Sequence, residues 1–457
     1  MTAETTNGLD ERVAEWRGHL QRAQAMRPDD IDELEDHLRS RVDELRAGGL
    51  DDDEAFLIAV RRVGALDAVS REFAREYSER LWKRLVLAPG PAGSEAGWNA
   101  EALIAVALAV AAAVWVRIPE LFGLALVGDE GIGEFYLRNF PAAVLAFLAG
   151  YFAWKRALAA SATLKVASGF LFALLVMNLY PFAPFGNTEL LSALHIAIAL
   201  WLTVGYAYAA GNGRDHGWRM NFIRFSGEWF IYYALIALGG GVLMLSTLFI
   251  FEAIGLNAEY FIANWMLPCG VAGAVIIAAW LVEAKQSVIE NMAPVLTMLF
   301  TPLFTLALLA FLATVLWTGA GIDVEREILI GFDLLLVLVV GLILYAISAR
   351  DPQRGPGFFD ALQLGLIVCA LLVDALALWA IAERITAFGF SPNRVAALGL
   401  NLILVVNLAR AALLHGRFLA GRGSFDAVAR WQTTCLPVYA AWAWIVAVLF
   451  PPLFGFI

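Results

Sequence analysis

The sequence predicts an all-α, polytopic membrane protein with about eleven transmembrane helices and a small cytoplasmic helical bundle at its N-terminus. Of the 457 residues, 60% are hydrophobic and only 16% are charged, whereas charged residues make up about a quarter of soluble domains. Apolar stretches of membrane-spanning length recur from residue 100 onward. The first 90 residues nevertheless hold 20 of the 42 acidic and 14 of the 32 basic residues. Two physically different parts are therefore joined near residue 90.

Residues 1–88 form the predicted cytoplasmic head. Apolar side chains recur at three- and four-residue steps from Leu9 to Leu20 and from Ile31 to Leu45, as in amphipathic helices. A third such segment, 56–63, follows Gly48-Gly49, and a fourth leads toward the membrane. The head carries 14 basic and 20 acidic residues, a net charge of −6, and we therefore do not expect it to bind nucleic acid. A hinge rich in Pro and Gly, residues 89–99, connects it to the transmembrane domain, residues 100–457.

One run in the head has the pattern of a known module: ELEDHLRSRVDELRAGGLDDDEAFLIAVRRVGALDAVSREF. An acidic helix, a Gly-rich break, a "DEAF" helix and a final helix entered through Asp-x-Val resemble the bacterial permease prefix domain, also called the HAAS signalling domain. The resemblance covers about residues 9–80. It implies a cytoplasmic helical module of the kind found before membrane permeases and in membrane proteins associated with PadR-type regulators, and it implies no catalytic residues. The alternative is an acidic, solvated cap without a partner.

Eleven apolar stretches predict the transmembrane spans. They lie at about residues 100–116, 140–154, 166–182, 190–210, 229–251, 262–282, 295–318, 328–347, 361–381, 395–414 and 434–455. The second is short, and the last contains Pro437, Pro451 and Pro452, which could make it re-entrant or end it early. The last eight or so spans, with the turn ERITAFGFSPNRVAAL, loosely resemble a bacterial polytopic family of unknown function.

The loop charges predict the orientation in a bacterial inner membrane. Lys and Arg are retained on the cytoplasmic side of membrane proteins. If the head is cytoplasmic, the inner loops hold twelve Lys and Arg residues, and the outer loops and their edges hold five. Since eleven is an odd number, the sequence predicts a cytoplasmic N-terminus and an extracytoplasmic C-terminus.

Four polar residues at membrane depth form the candidate intramembrane site: Asp333, Asp374, His195 and Asn178. A carboxylate at the centre of a span costs about 2.5 to 3.5 kcal/mol, so it normally faces the protein interior or water. The set therefore predicts a proton- or cation-binding cavity that opens to the outside. The alternative is a set of interhelical hydrogen bonds, worth about 0.6 kcal/mol each.

A second candidate group lies near the inner ends of the spans and consists of Asn407, Arg410 and Glu283. Arg410 is within one helical turn of Asn407, and a carboxylate from a neighbouring helix could approach both. The simpler interpretation is that Arg410 extends its charge to the cytoplasmic interface. The glycines at 239–241 and at 270 and 273 predict close helix approach or a local hinge.

The motifs that the chain lacks narrow its function. No Walker-type loop, HExxH, CxxC or GxSxG pattern occurs, so we do not expect an enzyme, a cofactor or a bound metal. The first hypothesis is a non-enzymatic signalling or regulatory membrane protein whose head binds a cytoplasmic partner. The alternative is a secondary transporter or permease-like protein that uses the intramembrane Asp and His residues. The sequence leaves the oligomeric state open.

Overall fold

The chain divides into two units, Met1–Gly97 and Trp98–Ile457, near the predicted hinge. The computed structural model describes residues 13, 28–47, 55, 59, 100–128, 131–284, 292–318, 326–351 and 354–457. The hinge itself, 89–99, and most of the predicted first, third and fourth head helices lie outside the described residues.

The head contains the predicted second helix, here α1, at Pro28–Ala47. Pro28 occupies its first position, where a missing N–H leaves no helical hydrogen bond unmade. Leu38 and Val42 are one helical turn apart and fully buried. They belong to a small core whose other members are Val13, Ala55, Ala59 and the partly buried Leu45. The amphipathic pattern of this segment is therefore confirmed.

Eleven further helices make up the described part of the second unit. They are α2 (Ala100–Arg117), α3 (Glu134–Lys155), α4 (Ala160–Leu179), α5 (Asn187–Tyr208), α6 (His216–Ala253), α7 (Glu259–Ala284), α8 (Met292–Thr318), α9 (Arg326–Ala349), α10 (Phe358–Phe388), α11 (Pro392–Leu419) and α12 (Phe425–Leu453). A 3₁₀ turn, Ile118–Phe122, and a two-residue ribbon, Val127–Gly128 with Gly131–Ile132, follow α2. Ten of the eleven, all except α3, are long and apolar enough to cross a membrane, so the chain is a multi-pass membrane protein.

The remaining helix, α3, has polar residues in its first turns, among them Glu134, Arg138 and Asn139, and it is tied to α2 at both ends. The Tyr136 hydroxyl donates a hydrogen bond to the Val116 carbonyl, 2.8 Å away, at the end of α2. At the other end of α3, Lys155 forms an ion pair with Glu101 in the first turn of α2. A helix of 22 residues is about 33 Å long, enough to cross the hydrocarbon. We therefore infer that α3 crosses beside α2, which gives the eleven spans predicted.

The helix ends gather on two opposite sides of the unit. On one, the Arg156 side, the Arg156 guanidinium at the end of α3 lies 2.9 Å from the Glu283 carboxylate at the end of α7. On the other, the Glu189 side, Arg138 near the start of α3 lies 2.5 Å from Glu189 near the start of α5. Ion pairs at both levels join sequence-distant helices, so the helices alternate in direction across the bundle.

The last helix crosses completely. Pro437, Pro451 and Pro452 lie inside α12, which nevertheless continues to Leu453. The backbone N–H of Thr188 donates a hydrogen bond to the Ile457 oxygen at 2.6 Å, beside the start of α5. Because α12 begins on the Arg156 side and finishes on the Glu189 side, it does not turn back within the membrane.

Two hydrophobic cores divide the membrane unit. The first bundle, α2–α7, has a core rich in alanine and aromatic side chains, with Phe152 and Phe225 in edge-to-face contact at 5.2 Å. The second bundle, α8–α12, has a core of leucine, isoleucine and valine. The helix α12 contributes to both cores, through Val428 in the second and Ala447 in the first. It therefore joins the two bundles.

The predicted close approach of glycines occurs at one of the two places. A Cβ atom built on Gly273 would lie 3.5 Å from the Ala109 carbonyl oxygen, because α7 packs closely against α2. No atom lies within 4 Å of the equivalent position at Gly239, Gly240 or Gly241. These three glycines lie in the uninterrupted helix α6, so they mark neither a break nor a helix contact among the described residues.

Candidate functional site

A carboxyl group without a partner lies in the interior of the second bundle. Asp374 is near the middle of the 31-residue helix α10 and is 0% exposed. The neighbouring turns on the same face present Ala370 and Ala377, which are also buried. Neither carboxyl oxygen of Asp374 has a hydrogen-bond partner among the residues that the structure describes. Within the described part of the chain, Asp374 therefore does not make the interhelical hydrogen bond that was the alternative expectation.

Asp333, on the adjacent helix α9, lies within electrostatic range of Asp374 and is half-buried. The side-chain amide of Asn401, on α11, donates hydrogen bonds to Asp333 Oδ1 at 3.0 Å and to the Ala397 carbonyl at 2.8 Å. Its amide oxygen is buried and has no partner in the described part of the chain. Three helices thus bring together Asp333, Asp374 and Asn401, which we call the Asp374 site.

The position of the Asp374 site follows from the starts of the helices. Asp333 is seven residues beyond the start of α9, and Asn401 is nine residues beyond the start of α11. At 1.5 Å per residue these side chains lie about 10 to 14 Å from the Glu189 side. The site is therefore in the half of the bundle nearer the Glu189 side, the side that the sequence predicts to be outer.

A polar cluster connects α11 and α12 next to this site. The Asn407 amide donates hydrogen bonds to the Tyr439 hydroxyl at 2.7 Å and to Gln432 Oε1 at 3.1 Å. Its amide oxygen accepts from the Cys435 thiol at 3.4 Å. Tyr439 also lies within electrostatic range of Asp374. The polar side chains of α11 and α12 therefore reach from Asn407 to the vicinity of the unpartnered carboxyl group.

Sequence analysis missed Gln432 and Tyr439. A usable signal was present, because Gln432, Cys435 and Tyr439 are spaced by three and four residues on α12 and so share one helix face. The three prolines of α12 predicted a re-entrant or shortened segment instead of a continuous helix face.

Two residues of the predicted intramembrane set lie elsewhere. His195, on α5, is buried and its Nδ1 atom is 2.8 Å from the Leu191 carbonyl of the same helix. Asn178, on α4, exchanges hydrogen bonds of 2.8 and 3.1 Å with Asn139 on α3. The structure therefore brings Asp333 and Asp374 together and does not place His195 or Asn178 with them.

Of the predicted inner group, Asn407 and Arg410 lie one turn apart on α11, and Glu283 lies elsewhere. Asn407 belongs to the cluster described above. Arg410 is exposed, with its guanidinium carbon 4.5 Å from the centre of the Trp431 ring. Glu283 lies at the end of α7 and pairs with Lys155 at 3.1 Å and with Arg156. No carboxylate contact of Arg410 is present in the described structure, in agreement with the simpler interpretation of this residue.

The Arg156 side of the first bundle contains an ion network that holds three helices. Glu283 is 1% exposed and binds Lys155 and Arg156, the two consecutive cations at the end of α3. Lys155 also binds Glu101, whose carboxylate accepts a hydrogen bond from the Tyr151 hydroxyl at 2.8 Å. Every charge in this network has an opposite charge beside it. We therefore assign it a structural role in joining α2, α3 and α7.

The described residues offer no metal centre, since no three His, Cys, Asp or Glu side chains within them lie close enough to hold an ion. A cavity of about 1160 Å³ is present, but it lies between α4, α5 and α12, and neither Asp333 nor Asp374 lines it. This cavity is therefore different from the predicted one, which was expected to open to Asp374.

Comparison with known proteins gave no match to a family model, to a curated protein or to a solved structure. The resemblance of residues 9–80 to the permease prefix domain therefore stays a prediction. The same holds for the loose resemblance of the membrane part to a family of unknown function.

Proposed function

We propose that this chain is a proton-coupled secondary transporter, with Asp374 as the group that takes up and releases the proton. The observation that carries the proposal is the complete burial of an Asp374 carboxyl group that has no hydrogen-bond partner in the described residues. An ionised carboxylate in such surroundings is strongly disfavoured, so the neutral acid is the stable form there. Ionisation then requires water or a cation to reach the site, which couples the proton to a conformational change.

Asp333 has the position of a proton exchange partner. It lies on the neighbouring helix and is less buried than Asp374. Two carboxyl groups in electrostatic range do not both ionise readily, because each negative charge raises the cost of the other. Asn401 orients Asp333 through its 3.0 Å hydrogen bond. In the proposal a proton passes between Asp333 and Asp374 as the site opens and closes.

The protonation of Asp374 is tested by infrared spectroscopy of the purified chain in lipid bilayers. A free aspartic acid loses its proton near pH 3.9, so a protonated carboxyl band that persists at neutral pH identifies a buried acid. We expect this band in the unsubstituted chain and its loss in Asp374→Asn. The matched control is Asp426→Asn, since Asp426 is an exposed acid paired with Arg430 at 2.7 Å. A band that survives in Asp374→Asn contradicts the proposal.

Transport is tested in vesicles that contain the chain and a pH-sensitive dye. We expect one solute from a panel of amino acids, sugars, nucleobases and organic acids to cause proton movement across the membrane. The movement should be lost in Asp374→Asn and retained in Asp426→Asn. Proton movement of equal size in both variants would remove Asp374 from the mechanism.

A regulatory role of the head is the second proposal. It is supported by the division of the chain into a head and a membrane unit, and by the buried core of the described head residues. The net charge of −6 favours a partner with a basic surface. We propose that residues 9–80 bind a cytoplasmic protein. The test is to crosslink the full chain with the products of neighbouring genes. The same crosslinking is then repeated with a variant that lacks residues 1–97. A partner retained by the shortened variant contradicts it.

The two proposals also require an orientation. We propose that the Arg156 side is cytoplasmic and that the C-terminus is extracytoplasmic, because the loops on the Arg156 side carry the larger share of Lys and Arg. The test starts from a chain in which the three native cysteines are replaced. One cysteine is then placed at Arg422, on the Arg156 side, or at Asn187, on the Glu189 side. Each variant is treated in intact cells with a thiol reagent that does not cross the membrane. Labelling of the Arg422 position in intact cells contradicts the orientation.

A further inference from the structure

The cavity of about 1160 Å³ lies on the Arg156 side of the first bundle, between α4 and α12. Its floor is the face of α5 that includes Leu202, Thr203 and Tyr206. Its end is the segment 211–218, which links α5 to α6. The volume exceeds the roughly 300 to 1,000 Å³ of ordinary small-molecule pockets.

Between α4 and α12, the side chains that line the cavity become smaller toward the Arg156 side. Closer to the Glu189 side the two helices touch, with the ring centres of Phe172 and Trp444 5.5 Å apart. One helical turn further toward the Arg156 side α12 presents only Ala440 to the cavity. The apolar part of the lining consists of Val166, Ala199, Leu202, Ala440 and Trp444, which lie on helices long enough to cross the membrane. An occupant with an apolar tail can enter it sideways from the hydrocarbon.

The end of the cavity is firmly built. A Cβ atom on Gly213 would lie 2.8 Å from the Tyr206 ring, so only glycine allows the segment this close to α5. The Arg219 guanidinium donates hydrogen bonds to the Gly213 carbonyl at 2.6 Å and to the Thr433 carbonyl of α12 at 3.2 Å. The segment 211–218 is therefore fixed to both α5 and α12.

Two cations stand at the mouth of the cavity without a partner. Lys165 on α4 and Arg214 in the linking segment both line it, and neither side chain makes a hydrogen bond or ion pair within the described structure. The one carboxylate in the lining, Asp215, accepts a hydrogen bond from the Trp218 backbone N–H at 2.9 Å and caps α6. Trp218 and Tyr206 add aromatic surface of the kind that lies at lipid headgroup level.

We infer that this cavity binds an anionic phospholipid from the leaflet on the Arg156 side, with the phosphate between Lys165 and Arg214 and an acyl chain along α5 and α12. The charge of the mouth complements a phosphate ester, and the apolar wall complements a hydrocarbon chain. A water-soluble phosphate compound would use only the mouth and would leave the apolar wall in contact with water or lipid, so a lipid is the occupant that satisfies both parts.

Native mass spectrometry of the delipidated full chain tests the inference. The probes are phosphatidylglycerol and phosphatidylcholine with identical acyl chains, and glycerol phosphate as a soluble competitor. We expect phosphatidylglycerol to bind more tightly than phosphatidylcholine, and glycerol phosphate at the same concentration not to displace it. Equal binding of the two lipids, or displacement by glycerol phosphate, would overturn the inference.

Three variants locate the binding. Lys165→Gln and Arg214→Gln should each weaken phosphatidylglycerol binding about fivefold, the effect of one basic residue at a membrane surface. Ala440→Phe, which adds bulk to the wall without changing charge, should weaken both lipids. The control Arg422→Gln removes an exposed cation on the same side that does not line the cavity. Unchanged thermal unfolding midpoints exclude misfolding as the cause, and equal loss in Arg422→Gln would contradict the assigned position.

Discussion

The two bundles of the membrane unit differ in how they treat buried polar groups. In the first bundle, the buried acids Glu189 and Glu283 are paired with arginine or lysine from another helix. In the second bundle, Asp374, Gln363 and His415 are buried, and their side-chain polar atoms have no hydrogen-bond partner among the described residues. Paired charges fix helices in place, whereas an unpartnered group gains from a change of surroundings. We therefore expect the first bundle to be the more rigid of the two, and the proposed proton response belongs to the second.

The contrast is not absolute, because the second bundle also contains a buried acid that is paired. Asp360 lies at the start of α10, 2.6 Å from Arg350 at the end of α9. The Arg350 guanidinium also lies 4.3 Å from the centre of the Phe425 ring. This contact is at the Arg156 side, as are the ion pairs of Glu283. The unpartnered Asp374 is in the interior, so depth in the membrane separates the two kinds of site.

The largest stability effect is expected for Glu283→Gln. The substitution leaves Arg156 without its carboxylate and Lys155 with Glu101 alone. Breaking a buried ion pair costs about 3 to 5 kcal/mol. Since both cations are partly exposed, we expect about 3 kcal/mol, the lower end, measured from unfolding in mixed micelles of increasing SDS content. Glu252→Gln, at an exposed span end, is the control. A loss below about 1 kcal/mol would remove the rigidity assigned to the first bundle.

A smaller loss is expected for Glu189→Gln. The Glu189 carboxylate is 0% exposed, accepts from Arg138 at 2.5 Å and accepts from the Phe185 backbone N–H at 2.6 Å. Glutamine keeps one acceptor oxygen and loses the charge, and a hydrogen bond to a charged group contributes about 1.5 to 3 kcal/mol. We expect a loss of about 2 kcal/mol in the same unfolding measurement. The control is Glu259→Gln, because Glu259 is exposed on the Glu189 side. It should lower the free energy of unfolding by less than a quarter of the loss expected for Glu189→Gln.

The third prediction concerns Asn407→Leu in the second bundle. Leucine removes the side-chain hydrogen bonds to Gln432 and Tyr439. Interhelical hydrogen bonds in membranes average about 0.6 kcal/mol each, so we expect a loss of about 1 kcal/mol. The exposed neighbour Val406 provides the control Val406→Leu. A loss as large as that of Glu283→Gln would show that this cluster is as important for stability as the ion network.

The smallest stability effect is expected for Asp374→Asn. Asparagine has nearly the shape of the neutral acid. When it replaces an unpartnered, protonated carboxyl group, the free energy of unfolding should change by less than about 0.5 kcal/mol. The same variant should lose proton-linked transport entirely. A loss of stability comparable to that of Glu189→Gln would mean that Asp374 carries a charge paired in the native protein, and the difference between the bundles would disappear.

The membrane class and the eleven helices could be predicted from the sequence, because apolar length is a property of each segment. The predicted spans agree in position with α2–α12, and most helices extend a few residues beyond them. The helix α6 extends furthest, since its polar first turns, which follow the Asp215 cap, are helical as well. Hydropathy alone does not detect such an extension, because helical hydrogen bonding continues outside the hydrocarbon.

The partners of polar residues could be predicted only in part. Asp333 and Asp374 were expected together, and the structure places them in electrostatic range. His195 and Asn178 were expected with them, but these residues lie on α5 and α4, which belong to the first bundle. Glu283 was expected near Arg410 and instead binds Lys155 and Arg156. A single sequence contains no information on which helices become neighbours, so membership of a bundle remained open.

The sequence by itself determined that this chain enters a bilayer, where its apolar spans lie, and which carboxyl groups reach membrane depth. These properties follow from the summed transfer free energies of consecutive residues, which are local. Only the tertiary structure decided that α3 packs beside α2, that Asp374 has no hydrogen-bond partner among the described residues, and that Lys165 and Arg214 line one cavity. Lipid tails are as apolar as leucine, so hydropathy does not select helix neighbours, and packing and interhelical hydrogen bonds do.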